Sequence, residues 1–218
     1  MLLNSFFNVS GNVLAKGYVV FESNVPGHYT RNFSKKHKFE YFCVAAGSGG
    51  SSVYIEFNYG KTYYLGIFAA GGGSGGYSNG KTYALKNLNI QVGDKGLGYA
   101  SSSTVAVFNP PTPQSWAPPS SNVGANSYIN NIWYAEGTTV YYATWVYCEF
   151  GHGYGSTRNG DYGSTAQGIK NDANLAGGSS RYGGYGAGGS AGFTGSDQSG
   201  TPWANDGTNG YVKIIVTD

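Results

Sequence analysis

The sequence predicts an all-β fold, an antiparallel and sandwich-like β framework carrying a glycine-rich part. Its apolar runs are short, rich in Val, Ile, Tyr and Phe, and broken by Gly, Pro and Asn turns. Helix formers are scarce: there is one Met, and only 11% of residues are charged. Thirty-seven glycines invite a reading as disorder, but 16% aromatic and 40% hydrophobic residues give the chain apolar mass to bury. The glycines are therefore structural.

Taken in order, "NVLAKGYVVFES", "KFEYFCVAA", "SVYIEF" and "KTYYLGIFAA" read as strands within the first 70 residues. In "ALKNLNIQVGDKG", Leu88, Ile90 and Val92 alternate with Asn89 and Gln91, the period of a half-buried strand ending in a glycine turn. "NPPTPQSWAPPSSNVGANS" follows, and its prolines favour stiff, extended surface backbone over a central strand. "NIWYAEGTTVYYATWVYCEF" reads as a hairpin turning near Glu136 and Gly137, and "GYVKIIVTD" as the last strand. At 218 residues one domain is expected over 1–218, with 1–38 as N-terminal strands and a candidate attachment segment, and 39–218 as the glycine-rich part.

The tract "GGGSGGYSNGKT" at 71–82 spells both G-x-G-x-x-G and G-x-x-x-x-G-K-T. A phosphate cradle needs a helix beginning at the Lys-Thr pair, because the helix N-terminus and nested amides hold the anion. Lys81–Val92 instead alternates like a strand, and "GKTYAL" at 80–85 nearly repeats "GKTYYL" at 60–65, where Ile55 replaces the leading glycine. Two copies point to a recurring hairpin, with Asn79-Gly80 as a tight turn and Asn58-Tyr59-Gly60 as a longer one. No βαβ unit supports dinucleotide binding either.

Residues 151–210 hold 18 glycines, and Gly183, Gly186, Gly189, Gly192 and Gly195 recur at every third position. Three residues per turn is the polyproline II period, and glycine at each third position lets extended helices pack closely. Those twelve steps would span roughly 37 Å at a rise of ~3.1 Å. The prediction is a polyglycine-II-like sheaf whose buried amides bond between segments.

Chemistry-bearing residues are dispersed. His28, His37 and His152 lack metal-ligand spacing, and no serine stands in a strand-to-helix G-x-S-x-G elbow. Asp161, Asp172, Asp197 and Asp206 read as turn residues rather than a calcium loop, and nothing identifies a hydrolase carboxylate pair. No enzyme activity and no cofactor are expected. The net charge of +2 and the single basic cluster Lys35-Lys36-His37-Lys38, read as a solvated turn, speak against nucleic acid. "MLLNSFF" is a poor signal peptide, and no apolar run approaches the ~18 residues of a membrane-spanning helix. Cys43 and Cys148 lie in apolar strand-like runs and read as buried free thiols, a disulfide being the alternative.

Strands running into "AAGSGG" (45–50) and "AAGGGSGG" (69–76), then "LNIQVGDKG" (88–96), "GGYGAGGSAG" (183–192) and "NGYVKIIV" (209–216), occur in that order. The arrangement resembles the glycine-rich domain of bacteriophage tail-fibre and tail-tip proteins, and more loosely the adhesins that cap the long tail fibres of T-even-like phages. The resemblance covers about residues 39–218; the segment 109–150 departs from it. It implies a virion location, other virion tail proteins as neighbours, a bacterial surface glycan or protein as receptor, and a homo-oligomer, by analogy a trimer, or a cap on a trimeric fibre. The receptor-binding candidates are Trp116, Tyr128, Tyr154, Arg158, Tyr162, Arg181, Tyr182, Tyr185 and Trp203, loop aromatics and arginines offering flat faces and polar handles. The alternative is a structural virion protein with an assembly role only.

Overall fold

The computed structural model describes residues 14–59, 62–108, 114–116, 120–137, 143–145, 165–167, 173–180, 183–194 and 201–218. It is all-β with almost no helix. The strands are β1 (Val19–Ser23), β2 (Gly27–His37), β3 (Phe39–Val44), β4 (Ser51–Tyr59), β5 (Thr62–Ala70), β6 (Tyr77–Lys81), β7 (Leu85–Val92) and β8 (Tyr99–Phe108). There follow β9 (Gln114–Trp116), β10 (Ser127–Ile129), β11 (Trp133–Ala135), β12 (Ala143–Trp145), β13 (Thr165–Gln167), β14 (Ala173–Leu175), β15 (Ala191–Thr194), β16 (Thr201–Ala204) and β17 (Tyr211–Val216). A single 3₁₀ turn, Ser120–Asn122, is the only helical element among the described residues.

Two four-stranded sheets, ordered β1-β17-β3-β6 and β11-β10-β7-β2, share the hydrophobic core. Strand alternation builds it. Leu88, Ile90 and Val92 of β7 point inward with Ile129 of β10, and meet Phe39, Tyr41 and Cys43 of β3 and Val212, Ile214 and Val216 of β17. Phe39, Leu88, Ile90, Ile129 and Ile214 are fully buried, each worth about 1.5–3 kcal/mol of transfer free energy. A third sheet is ordered β13-β5-β4-β8, a three-stranded one β14-β15-β16, and β9 pairs with β12.

Among the described residues, the glycine segments 45–50, 71–76, 93–98 and 187–190 carry no strand pairing of their own. Residues 45–50 lie at the centre. Their N–H groups donate in rotation to three neighbours: Ala45 and Ser48 to Gly76 and Gly73, Ala46 and Gly49 to Ala125 and Asn122, Gly47 and Gly50 to Thr208 and Asn205. Two further segments donate back, Gly96 to the Gly47 carbonyl and Gly189 to that of Ser48. A methyl group on Gly47, Gly49, Gly72, Gly75 or Gly96 would overlap a neighbouring backbone carbonyl, so glycine is the only residue that admits this approach.

Several local expectations change in the folded chain. Gly183, Gly184 and Gly186 have positive φ and form a turn, while Gly192 lies in β15, so one continuous run does not extend over 183–192. The segment that joins the glycine bundle there is 186–190. Asn79 and Gly80 lie inside β6, paired with Phe42 and Tyr41 of β3, and are not a turn. The expected hairpin turning at Glu136 and Gly137 gives way to one turning at residues 130–132, with Ile129 opposite Trp133. Asn130 and Asn131 hold left-handed φ there, which asparagine tolerates better than other non-glycine residues.

Among the described residues one strand pairing is parallel, β4 with β8. Gly96 and Tyr99 donate to Gly47 and Gly50 in the same chain direction, so both strands leave the bundle side by side. Lys35, Lys36 and His37 of the basic cluster are the end of β2, where the pairing with β7 shifts register between Asn32 and His37, and Lys38 follows the strand, so the cluster is not a plain turn. Its lysines are exposed, but His37 turns inward and its Nδ1 lies 3.1 Å from Asp218 Oδ1. Residues 72–76 and 188–192 spell G-x-S-x-G in letters, yet Ser74 is buried in the bundle and β6 follows it.

Candidate functional site

Strand register across β11-β10-β7-β2 sorts residues onto two faces. Tyr29, Ile90, Ile129 and Trp133 stand in one cross-strand row against the core. The next row, His28, Gln91, Tyr128 and Tyr134, stands on the opposite face, since successive strand residues point to opposite sides. Thr30 faces Asn89 and Asn32 faces Asn87 in the rows beyond it. The outer face is thus built of amides, hydroxyls and tyrosine rings.

A recess of about 310 Å³ opens on this face, lined by residues of β2 and β7, by Tyr128, and by the Asn130-Asn131 turn. Asn130 shapes its floor. Beyond the last residue of β10 its backbone N–H donates to the Asn89 carbonyl (2.7 Å), and its side-chain oxygen accepts from Asn89 N (2.6 Å). Its Nδ2 donates to the Asn87 carbonyl (3.2 Å), so one side chain stands in for the next strand residue. The side chains of His28, Thr30, Asn89, Gln91, Tyr128 and Asn131 make no hydrogen bond to another described residue. They present donors and acceptors outward.

A second recess, about 430 Å³ and more open, is lined by Asn24, Lys95, Tyr185, Thr208, Asn209 and the glycines around them. Tyr185 is stacked on Tyr211, whose hydroxyl donates to Glu22 Oε1 at 2.6 Å. Burial and that bond push the Tyr211 hydroxyl up from its ordinary range, and the same bond holds Glu22 below its own. Lys95 Nζ lies 2.6 Å from Asp206 Oδ2, and the bond raises the Lys95 pKa. The Asp206 carboxyl is held low by Lys95 first and by the Gly98 N–H second. The ionic groups at this recess are already paired within the chain.

Of the nine candidates read from sequence, the four that lie among the described residues stand on separate elements. Tyr128 lines the first recess and Tyr185 the second. Trp203 is half-buried in β16 opposite Gly192 of β15, and Trp116 lies in β9 opposite Ala143 of β12. Tyr154, Arg158, Tyr162, Arg181 and Tyr182 lie outside the described residues. Sequence reasoning missed His28, Thr30, Asn89, Gln91, Asn130 and Asn131; the alternation of "NLNIQ" placed Asn89 and Gln91 on a solvent face, but the strand beside them was not read. Among the described residues no group of acidic, His and Cys side chains is arranged to hold a metal ion, and no helix is long and apolar enough to cross a membrane. Compared with known proteins, the chain matches no protein-family model, no curated protein and no solved structure.

Proposed function

We propose that this chain is a receptor-binding protein of a phage virion, a tail-fibre or tail-tip adhesin that recognises a bacterial surface glycan or protein from a rigid glycine-rich scaffold. The observation that carries the reading is the rotation of hydrogen bonds around residues 45–50, in which every third N–H finds the same neighbour. That is the repeat of a threefold extended helix, and it supports a polyglycine-II-like sheaf beside a β-sandwich. Such a frame suits adhesion because the surfaces it carries are ordered before contact, so binding costs little conformational entropy. The virion setting rests on the resemblance of the ordered motifs to phage glycine-rich domains, and neighbouring tail proteins and a trimeric assembly are taken by analogy. The role is binding, with no catalysis and no cofactor.

The test is titration of the purified, fluorescently labelled full chain onto a panel of bacterial strains. Saturable binding to a few strains is expected. Absence of binding to every strain by folded, assembled protein would overturn the adhesin role and favour an assembly role in the particle.

A further inference from the structure

Resting on the adhesin reading, we infer that the outer face of the β11-β10-β7-β2 sheet is the receptor site, and that its ligand is an uncharged oligosaccharide of the bacterial surface. The lining of the 310 Å³ recess contains no Lys, Arg, Asp or Glu. Apart from the His28 imidazole, an acidic polysaccharide or a phosphate-bearing polymer would find no basic side chain there to offset its desolvation. A protein loop would ordinarily bring an apolar anchor to a desolvated pocket. Here the aliphatic member of the lining, Ile90, is 1% exposed and offers nothing to seat it.

Sugar hydroxyls both donate and accept, and the outward side chains answer in kind. Asn89 and Gln91 each carry an amide with both functions, Thr30 a hydroxyl, and Tyr128 a flat ring with a hydroxyl at its edge. The volume falls at the small end of the ~300–1,000 Å³ range of small-molecule sites, enough for a short saccharide segment rather than a folded partner. Rigidity comes from below, since Ile90 and Ile129 are locked in the core and the Asn130 amide is committed to β7.

The experiment prints uncharged and acidic oligosaccharides from bacterial surface polysaccharides on one array. It is probed with the full chain, with the double variant Gln91→Ala/Tyr128→Ala, with the blocking variant Thr30→Trp, and with Tyr185→Ala at the other recess. The altered side chains of both face variants point to solvent, and circular dichroism confirms folding. Binding of uncharged probes that falls tenfold or more in both face variants and persists in Tyr185→Ala supports the site. Binding of acidic probes alone, no binding of uncharged probes, or unchanged binding by the face variants overturns it. A cell arm separates this inference from the reading beneath it. Cell binding that survives periodate and is lost to protease sinks the saccharide and leaves the adhesin; array binding with no cell binding keeps the saccharide site and sinks the adhesin.

Discussion

The ring of Tyr185 lies flat on that of Tyr211, centroids 4.4 Å apart and planes inclined by 6°. The pair ties the glycine turn at 183–186 to the last strand, and Tyr211 continues the connection through Glu22 to Lys213, 3.1 Å from the Glu22 carboxylate. Tyr185→Ala is expected to lose about 0.5–1.5 kcal/mol of stacking in addition to the burial of the ring. For a chain of this size that is a fall in Tm of about 2–4 °C per kcal/mol. Tyr185→Phe keeps the stack and leaves Tm in place, as thermal unfolding followed by circular dichroism would show.

The raised pKa of Tyr211 gives a pH dependence of definite sign. The folded chain holds the phenolic proton more tightly than the unfolded chain, whose tyrosine titrates near 10.0. Stability from this group is complete below that pH and declines as the pH rises above it, because only the unfolded state releases the proton. Urea unfolding at pH 9 to 11 should show the decline. Tyr211→Phe should flatten it; an identical slope in the variant would remove Tyr211 as its source.

Two glycines separate crowding from conformation. Gly47 sits against the Ala187 carbonyl in the bundle, so Gly47→Ala forces two backbones apart and should cost more than about 3 kcal/mol. Gly184 has φ of +94° and nothing within 4 Å of an added methyl, so Gly184→Ala carries conformational strain alone, about 1–2 kcal/mol. Denaturant midpoints of the two variants would order them; near-equal losses would contradict the close packing of the bundle.

At the recess floor, Asn130→Gly keeps the left-handed backbone and loses two side-chain hydrogen bonds to β7. Asn130→Ala loses those bonds and adds strain. The expected costs are about 1–3 kcal/mol for Gly and roughly 1 kcal/mol more for Ala. Hydrogen exchange at the Asn89 amide should quicken in both.

Cys43 is 1% exposed, and burial pushes its thiol pKa far up, leaving almost no thiolate at neutral pH. In a Cys148→Ser background, iodoacetamide should label Cys43 only after unfolding. Labelling of the native chain at the rate of a free thiol would place this residue at the surface.

Much of the β framework was legible because it is written in local periods. The alternation of Leu88, Ile90 and Val92 fixed both a strand and its buried face, and the Val-Ile run of residues 211–216 marked β17 as a strand. β2 escaped notice, because "GHYTRNFSKKH" is polar on its outer face and carries few of the β-branched residues that mark a strand.

What a strand pairs with is a different kind of information. Trp133–Ala135 folds back on β10 rather than forward, since Asn130 and Asn131 tolerate the left-handed turn that closes the nearer loop. By itself the sequence determined that the chain would be all-β, with Leu88, Ile90 and Val92 inward, because burial acts residue by residue along a strand. Only the tertiary structure decided that residues 45–50 would be ringed by segments drawn from 73 to 208, and that His28, Gln91 and Tyr128 would share one face. Backbone groups and pleated faces are satisfied across space by whichever segment arrives, and nothing in the local order of residues names the partner.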